Sequence, residues 1–343
     1  MTNNQLTTNR RFVLKRRPTG TPLPEDFALL SSPVPEPPRG GLIVRNHFAS
    51  LDPAQRGWMD DTPSYMPPIP LGESVRATTV GRVHSSANAD YKPGDWVVGL
   101  NALEDYSVVA PGGFTSKVDV SAVPSPSYFL SAMGAVGLTA YFALLDVGRP
   151  VAGETVLVSG AAGAVGSIAG QIARIKGCRT IGIAGGPQKC GRLLKDYGYD
   201  VAIDYRGRSV SELSADIAQA APNGVNLIFE NVGGDVLDAG LLNLAPKARV
   251  ILCGLISEYN SDCGKLGARN LWQVIVKRAT LHGFLILDYV ARFSEGGAEI
   301  ARWIAAGQLR VDEHIEQGLE NAYPAFMKLF SGGNHGKLVL QIA

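Results

Sequence analysis

Near the middle of the chain, Gly160-Ala161-Ala162-Gly163-Ala164-Val165-Gly166 has the makings of a turn that holds phosphate. A strand-like run, Thr155 to Ser159, precedes it, and apolar residues at helical spacing follow it. A tight strand-to-helix turn needs permissive backbone. Pyrophosphate oxygens must come close to main-chain N–H groups, where a Cβ would intrude, and the start of a helix offers unpaired donors and a positive dipole end. The last glycine lets the helix close on the strand. The spacing is GxxGxxG rather than GxGxxG, and a glycine trio alone is weak evidence. The strand before it and the helix after it supply the confirming context, against the competing account of a glycine-rich packing turn.

Dinucleotide enzymes that use NAD carry an acid about 20 residues on, at the end of the second strand, to hold the ribose hydroxyls. Here that strand ends Ile183-Ala184-Gly185-Gly186, with no acid, and Lys189 follows. A small neutral pocket at Gly186 with a lysine beside it suits a ribose 2′-phosphate and points to NADP. Taken alone, Lys189 would read as an exposed lysine at a helix start; the missing acid shifts the balance.

The elements that must position these residues form a regular alternation. Thr155 to Ser159, Thr180 to Ile183, Val201 to Ile203, Leu227 to Glu230, Val250 to Cys253 and Leu281 to Leu287 read as strands. Between them, Val165, Ile168, Ala169, Ile172 and Ile175 keep a helical period, and further helical stretches follow Pro187 and Val210. This is the pattern of βαβ units in a parallel sheet, and near-continuous apolar strands fit a sheet covered on both faces. The first third differs. Leu42 to Val44, Val75 to Val83 and Trp96 to Gly99 read as strands separated by proline-rich stretches and by the turn Lys92-Pro93-Gly94-Asp95. That predicts an antiparallel β domain. In the tail, Ala298 to Ala306 reads as a helix and Leu338 to Leu340 as a last strand.

Composition narrows the function classes. Of 343 residues, 45% are hydrophobic, enough for sizeable cores in about two domains, and the net charge is +1. No long run of one charge sign points to nucleic acid or to an anionic membrane surface. The four cysteines (178, 190, 253, 263) form no CxxC pair, and the five histidines (47, 84, 282, 314, 335) are isolated. Neither a disulfide framework nor a metal site is expected. There is no GxSxG nucleophile elbow. No apolar run of about 18 residues predicts a membrane helix, and the polar start with unpaired thiols predicts a cytoplasmic protein.

Several segments together carry a more specific signal. Asn9-Arg10-Arg11-Phe12-Val13-Leu14, Leu51-Asp52-Pro53-Ala54-Gln55-Arg56-Gly57 and Gly137-Leu138-Thr139-Ala140-Tyr141 are three of them. The glycine turn, Glu230-Asn231-Val232-Gly233-Gly234, the run Cys253 to Asn260, and Gly332-Gly333-Asn334-His335-Gly336-Lys337 complete the set. With these the chain resembles, over nearly its full length, the medium-chain dehydrogenase/reductases. Within them it resembles the zinc-independent branch of leukotriene B4 12-hydroxydehydrogenase, prostaglandin reductase, curcumin reductase and plant double-bond reductases. The resemblance implies an α/β fold: a GroES-like β domain (1–131), a Rossmann domain with a doubly wound parallel sheet (132–306), and a return to the first domain (307–343). It implies no catalytic zinc, since Leu71-Gly72-Glu73-Ser74 has no histidine where zinc-dependent cousins carry Gly-His-Glu.

The resemblance also assigns residues. Gly163, Ala164, Val165 and Gly166 would hold the pyrophosphate, and Lys189 and Tyr205 the 2′-phosphate end. Asn231, Cys253, Gly254, Ser257, Tyr259, Phe284, Leu285, Ile286 and Asn334 would line the rest of the cofactor. Tyr259 would assist catalysis at the substrate oxygen in NADPH-dependent reduction of the C=C bond of an enone or enal, and the enzyme would be a homodimer. Each residue also has a plainer account. Tyr259 could be a loop tyrosine packed on the cofactor and Tyr205 a strand-end tyrosine in water; Asn231 and Asn334 could cap turns. Arg56 reads as a structural ion-pair partner. Ala54-Gln55 replaces a Tyr-Met pair common in the family, and the segment Pro70 to Thr79 departs from its glycine-richer pattern, so the substrate is the least constrained feature. A quinone reductase and a non-catalytic NADPH-binding protein are the rival functions.

Overall fold

A computed structural model describes residues 8–261 and 267–343. Cys263 lies outside the described residues. The chain divides into two compact units: 1–130 with 314–333 and 338–343, and 131–313 with 334–337.

The second unit contains a six-stranded sheet. Its strands are β1 (Thr155–Val158), β2 (Arg179–Ala184), β3 (Val201–Asp204), β4 (Val225–Glu230), β5 (Leu244–Leu252) and β6 (Thr280–Gly283). They lie in the order 3-2-1-4-5-6, and every pairing is parallel. This is the doubly wound arrangement of a dinucleotide-binding domain, and the strand order reverses between β1 and β4. The expected apolar runs are buried: Val156, Leu157, Val158, Leu227, Ile228 and Phe229 are at most 1% exposed. Helices α1 (Ala164–Ile175), α2 (Pro187–Lys195), α3 (Val210–Ala220), α4 (Gly234–Leu242) and α5 (Trp272–Lys277) connect the strands. The strand expected over Leu281 to Leu287 stops at Gly283. Beyond it the chain turns into a 3₁₀ segment, Ile286–Arg292, so Leu285, Ile286 and Leu287 continue the apolar run without continuing the strand.

Close packing around the glycine turn depends on missing side chains. A Cβ on Gly166 would stand 2.4 Å from the Gly160 carbonyl oxygen, and Gly160 itself has φ +58°. One turn along α1, a Cβ on Gly170 would strike the ring of Tyr199 at 2.0 Å; the Tyr199 hydroxyl donates to the Gly166 carbonyl at 2.7 Å. The tyrosine thereby closes the first turn of α1 from behind.

The first unit is built on antiparallel strands, as its short strand-like runs between turns predict. Leu42–Ser50 pairs with Arg76–Ser86, which pairs with Trp96–Ala102. The last strand, Lys337–Gln341, returns to pair Val339 with Ser50. Its core gathers Phe12, Leu14, Leu51, Met59, Leu319 and Phe326, the last two from the C-terminal segment. The helix Ala322–Ser331 is not among the elements the sequence pattern predicts. Arg56 is 4% exposed and donates to the carbonyls of Pro18 and Gly20 while pairing with Asp60 at 2.5 Å, the structural role expected of it. No described helix is long and apolar enough to cross a membrane.

Candidate cofactor site

Sites in open parallel sheets form at the carboxyl ends of the strands, where the strand order reverses. Here that place is occupied by the glycine turn after β1 and the Glu230 turn after β4. Gly163 is the N-cap of α1 and has no side chain to bond the first-turn N–H groups. The amides of Ala164, Val165 and Gly166 therefore open the helix without a side-chain cap, as an anion site requires. A bridge pairs Gly163 with Gly336, and the Gly336 N–H donates to the Ala162 carbonyl at 3.0 Å. This brings half-buried Asn334, distant in sequence, to the same turn.

At the end of β2, Gly185 and Gly186 leave open backbone, and Gly186 has φ +92°. Lys189 lies one turn into α2 and is half-buried. Tyr205 ends β3 beside Gly185, its hydroxyl 3.2 Å from where a Gly185 Cβ would sit, and it is 42% exposed. Arg206 joins this corner although nothing in the sequence pattern points to it. Its guanidinium lies over Gly186, 2.3 Å from where a Cβ would be, and donates to the Gly185 carbonyl. Parallel pairing of Asp204 with Ala184 places it there, a neighbourhood that linear spacing does not show. Burial and then the nearby Arg206 charge hold the Lys189 amine below the ordinary lysine range. Two positive charges at one corner favour a multiply charged anion there. Burial works to raise the Asp204 carboxyl. The N–H groups of Gly186 at 2.7 Å and Arg206 at 3.0 Å, together with the Arg206 and Arg208 charges, more than offset it, so its pKa falls below the usual range.

The other end is made of turns tied to one another. Asn231 donates through its side-chain amide to the Ser159 carbonyl at 2.7 Å, so it does tie a turn, as its plainer account has it. The Cys253 N–H bonds the Glu230 carbonyl at 2.9 Å, and burial followed by the Glu230 charge pushes the Cys253 thiol up. Ser257 donates through its hydroxyl to the Val232 carbonyl at 2.6 Å. Tyr259 follows a short 3₁₀ turn, Ile256–Glu258, and folds back so that its hydroxyl oxygen accepts the Leu255 N–H at 3.3 Å. A Cβ on Gly254 would lie 3.3 Å from the same oxygen and 3.3 Å from the Asn231 carbonyl oxygen, a tight fit. Burial pushes the Tyr259 pKa up, which keeps the phenol protonated at neutral pH.

Phe284 leaves β6 with its N–H on the Leu252 carbonyl at 3.0 Å and stacks on Tyr289 with ring centres 5.2 Å apart. Leu285 and Ile286 follow, half-buried, with Ile286 packed on the core. The expected residues thus fall in three groups of the second unit: the glycine turn with Asn334, the basic Gly186 corner, and the turns after β4, β5 and β6. An uncapped helix start, glycines where a Cβ would clash, and a paired lysine and arginine in a strand-end corner fit NADPH.

Two family models match the chain: an N-terminal domain of oxidoreductase over residues 10–118, and a zinc-binding dehydrogenase over residues 164–302. Among the described residues, no group of three or more His, Cys, Asp or Glu side chains is arranged to hold a metal ion. A putative NADP-dependent oxidoreductase, YfmJ of Bacillus subtilis, is 42% identical, covering 97% of this chain and 98% of that protein. The NADPH-dependent curcumin reductase of Escherichia coli is 40% identical over 98% of this chain and 97% of its own length. The NADP(+)-dependent 2-alkenal reductase of Nicotiana tabacum is 35% identical over 98% of each. The crystal structure of CurA from Vibrio vulnificus in complex with NADPH superimposes with a TM-score of 0.91, at 40% identity, covering 97% of this chain and 99% of that one. The chain belongs to the medium-chain dehydrogenase/reductase superfamily, in its zinc-independent branch of NADPH-dependent reductases.

Proposed function

We propose that this NADPH-dependent reductase reduces the C=C bond of α,β-unsaturated ketones and aldehydes. The observation that carries the reading is Tyr259, a half-buried hydroxyl that accepts one backbone N–H. Bound NADPH supplies a hydride, which the reading directs to the β-carbon of the substrate. Negative charge then gathers on the carbonyl oxygen, where a fixed donor lowers the barrier. Tyr259 suits that role, because burial favours its protonated form and the Leu255 N–H holds its oxygen in place. The α-carbon takes its proton from Tyr259 or from water. The names of the curcumin and 2-alkenal reductases support a conjugated carbonyl as substrate.

The test follows loss of reduced nicotinamide absorbance with a panel of enones, enals and quinones, offering NADPH and NADH in parallel. Turnover of enones with NADPH, giving the saturated carbonyl compound, is the expected result. Quinone turnover alone would make the protein a quinone reductase, and cofactor binding without turnover would make it a non-catalytic binder.

The same reading gives residues 1–131 and 307–343 to the substrate-side domain, and a cytoplasmic setting fits the free thiols of Cys178, Cys190 and Cys253. It also includes a homodimer joined at the edge of the parallel sheet. Strand β6 is one of the sheet's two edges. Beside it, α5 leaves Trp272 67% and Ile275 66% exposed, with Leu271 and Val276 also open to solvent. An apolar face of this kind calls for a partner, and a two-fold contact would cover it with its own copy. Light scattering is expected to give a dimer mass, and W272E/I275E a monomer. A wild-type monomer at micromolar concentration would end this part of the reading.

A further inference from the structure

Glu230 is 1% exposed and ends β4 at the point where the strand order reverses. An acid so deeply buried is costly unless its oxygens are bonded. One carboxylate oxygen, Oε1, accepts three donors at 2.7 Å: the Ser159 hydroxyl and the N–H groups of Val232 and Gly233. Its backbone carbonyl accepts the N–H groups of Cys253 at 2.9 Å and Gly254 at 3.2 Å. Ser159 directly follows β1 and precedes the glycine turn, and its hydroxyl accepts the Asn231 N–H at 2.8 Å. The Asn231 and Val232 carbonyls then accept the N–H groups of Ile256 and Ser257. One side chain therefore joins the end of β1, the turn after β4 and, through that turn, the loop that ends in Tyr259.

We propose that Glu230 is a positioning residue for the reaction, whose carboxylate oxygen sets the spacing between the glycine turn and the Asn231–Tyr259 wall and so fixes where the nicotinamide ring and Tyr259 meet. The proposal rests on the reading of Asn231 and Cys253–Tyr259 as the nicotinamide side of the site. Glu230 has no part in holding the phosphates. The glycine turn and the Lys189–Arg206 corner supply that binding and remain when Glu230 is changed. What the carboxylate controls is alignment, and a misplacement of about 1 Å at a reacting centre can cost roughly a hundredfold in rate. The three donors need an acceptor oxygen at Oε1. Glutamine presents one at the same position, whereas leucine presents none.

The experiment compares E230Q, E230L and S159A in the full chain, measuring kcat with an enone, NADPH Kd by fluorescence titration, the emission spectrum of bound NADPH, and Tm. E230L is expected to lower kcat by about 10- to 100-fold while NADPH Kd moves less than about threefold, with altered emission from the bound nicotinamide. E230Q is expected to keep kcat within about threefold of wild type, since the acceptor is retained. S159A removes the hydroxyl's bonds to Glu230 Oε1 and from the Asn231 N–H, leaves the other two donors on Oε1, and keeps the protein foldable should E230L be too unstable; a kcat loss between those of the other two, with Kd unchanged, is expected. The proposal is overturned if Kd rises in proportion as kcat falls and Tm drops, if E230Q is as impaired as E230L, or if kcat and emission do not move in E230L and S159A. Failure of the enone reading is separate: wild type would then reduce no enone, while the emission of bound NADPH would still compare E230Q with E230L.

Discussion

The two ends of the cofactor site are built from different materials. The Gly186 corner works with charged, partly exposed side chains, Lys189 and Arg206, standing over bare glycine backbone. The Glu230–Tyr259 end works with backbone carbonyls and amides held by one buried acid and one serine. In the proposed site, charge at the open corner would supply affinity and select among dinucleotides, by meeting the 2′-phosphate that NADPH has and NADH lacks. A bonded, buried frame contributes alignment instead. The comparison implies that substitutions at the first end act on KM for NADPH, and substitutions at the second on kcat.

The sharpest way to break that division is to remove both cations. If Lys189 and Arg206 hold the 2′-phosphate as proposed, K189A/R206A removes two charge-assisted contacts, each worth about 1.5–3 kcal/mol, so KM for NADPH is expected to rise by roughly 10²- to 10⁴-fold. KM for NADH should stay near its wild-type value, and kcat with either cofactor should change little. Steady-state kinetics with both cofactors checks this. An equal loss with NADH would mean that the corner holds the fold rather than the phosphate.

The next effect belongs to the other end. Y259F keeps the ring and removes the hydroxyl, so kcat for an enone is expected to fall by roughly a hundredfold with NADPH Kd unchanged. The oxygen also accepts the Leu255 N–H at 3.3 Å, a long bond whose loss should cost little stability. Near-normal turnover in Y259F at saturating NADPH would reduce Tyr259 to a wall residue.

The same contrast decides what the sequence could reveal. Buried parallel strands must be apolar along their whole length, so β1, β2 and β4 stand out as runs such as Val156-Leu157-Val158. The glycine turn is legible because backbone approach excludes every other residue at Gly166. Lys189 is legible because an expected acid is missing upstream of it. Arg206 is not, since only the pairing of β3 with β2 carries it to Gly186. Glu230 stands inside a recognisable segment, yet its role depends on Ser159, 71 residues away in the chain. The extended reading of Leu281–Leu287 fails for a related reason. Apolar side chains continue past Gly283, but the backbone leaves the sheet edge for a 3₁₀ turn, on which Leu285 and Ile286 are half-buried and Leu287 is exposed.

The smallest expected effect tests whether the Lys189 charge itself is what the corner uses. Burial first, and the Arg206 charge second, lower its pKa in the folded protein. For a lysine shifted in this direction the charged form is disfavoured by folding. The stability deficit is present below the folded pKa and disappears as pH rises through it toward the ordinary lysine value. NADPH binding would have the opposite sign if, as proposed, the 2′-phosphate needs the Lys189 ammonium. KM for NADPH should therefore be flat near neutral pH and rise by a few-fold, about two- to fivefold, as pH climbs into the region below the ordinary lysine pKa of about 10.4. KM for NADH, with no 2′-phosphate, should show no such rise. In K189R the guanidinium stays charged throughout, so the rise should vanish even if the contact is less well shaped. If K189R keeps the alkaline rise, the titrating group lies elsewhere, and the open corner acts through the shape of Gly185 and Gly186 more than through the lysine's charge.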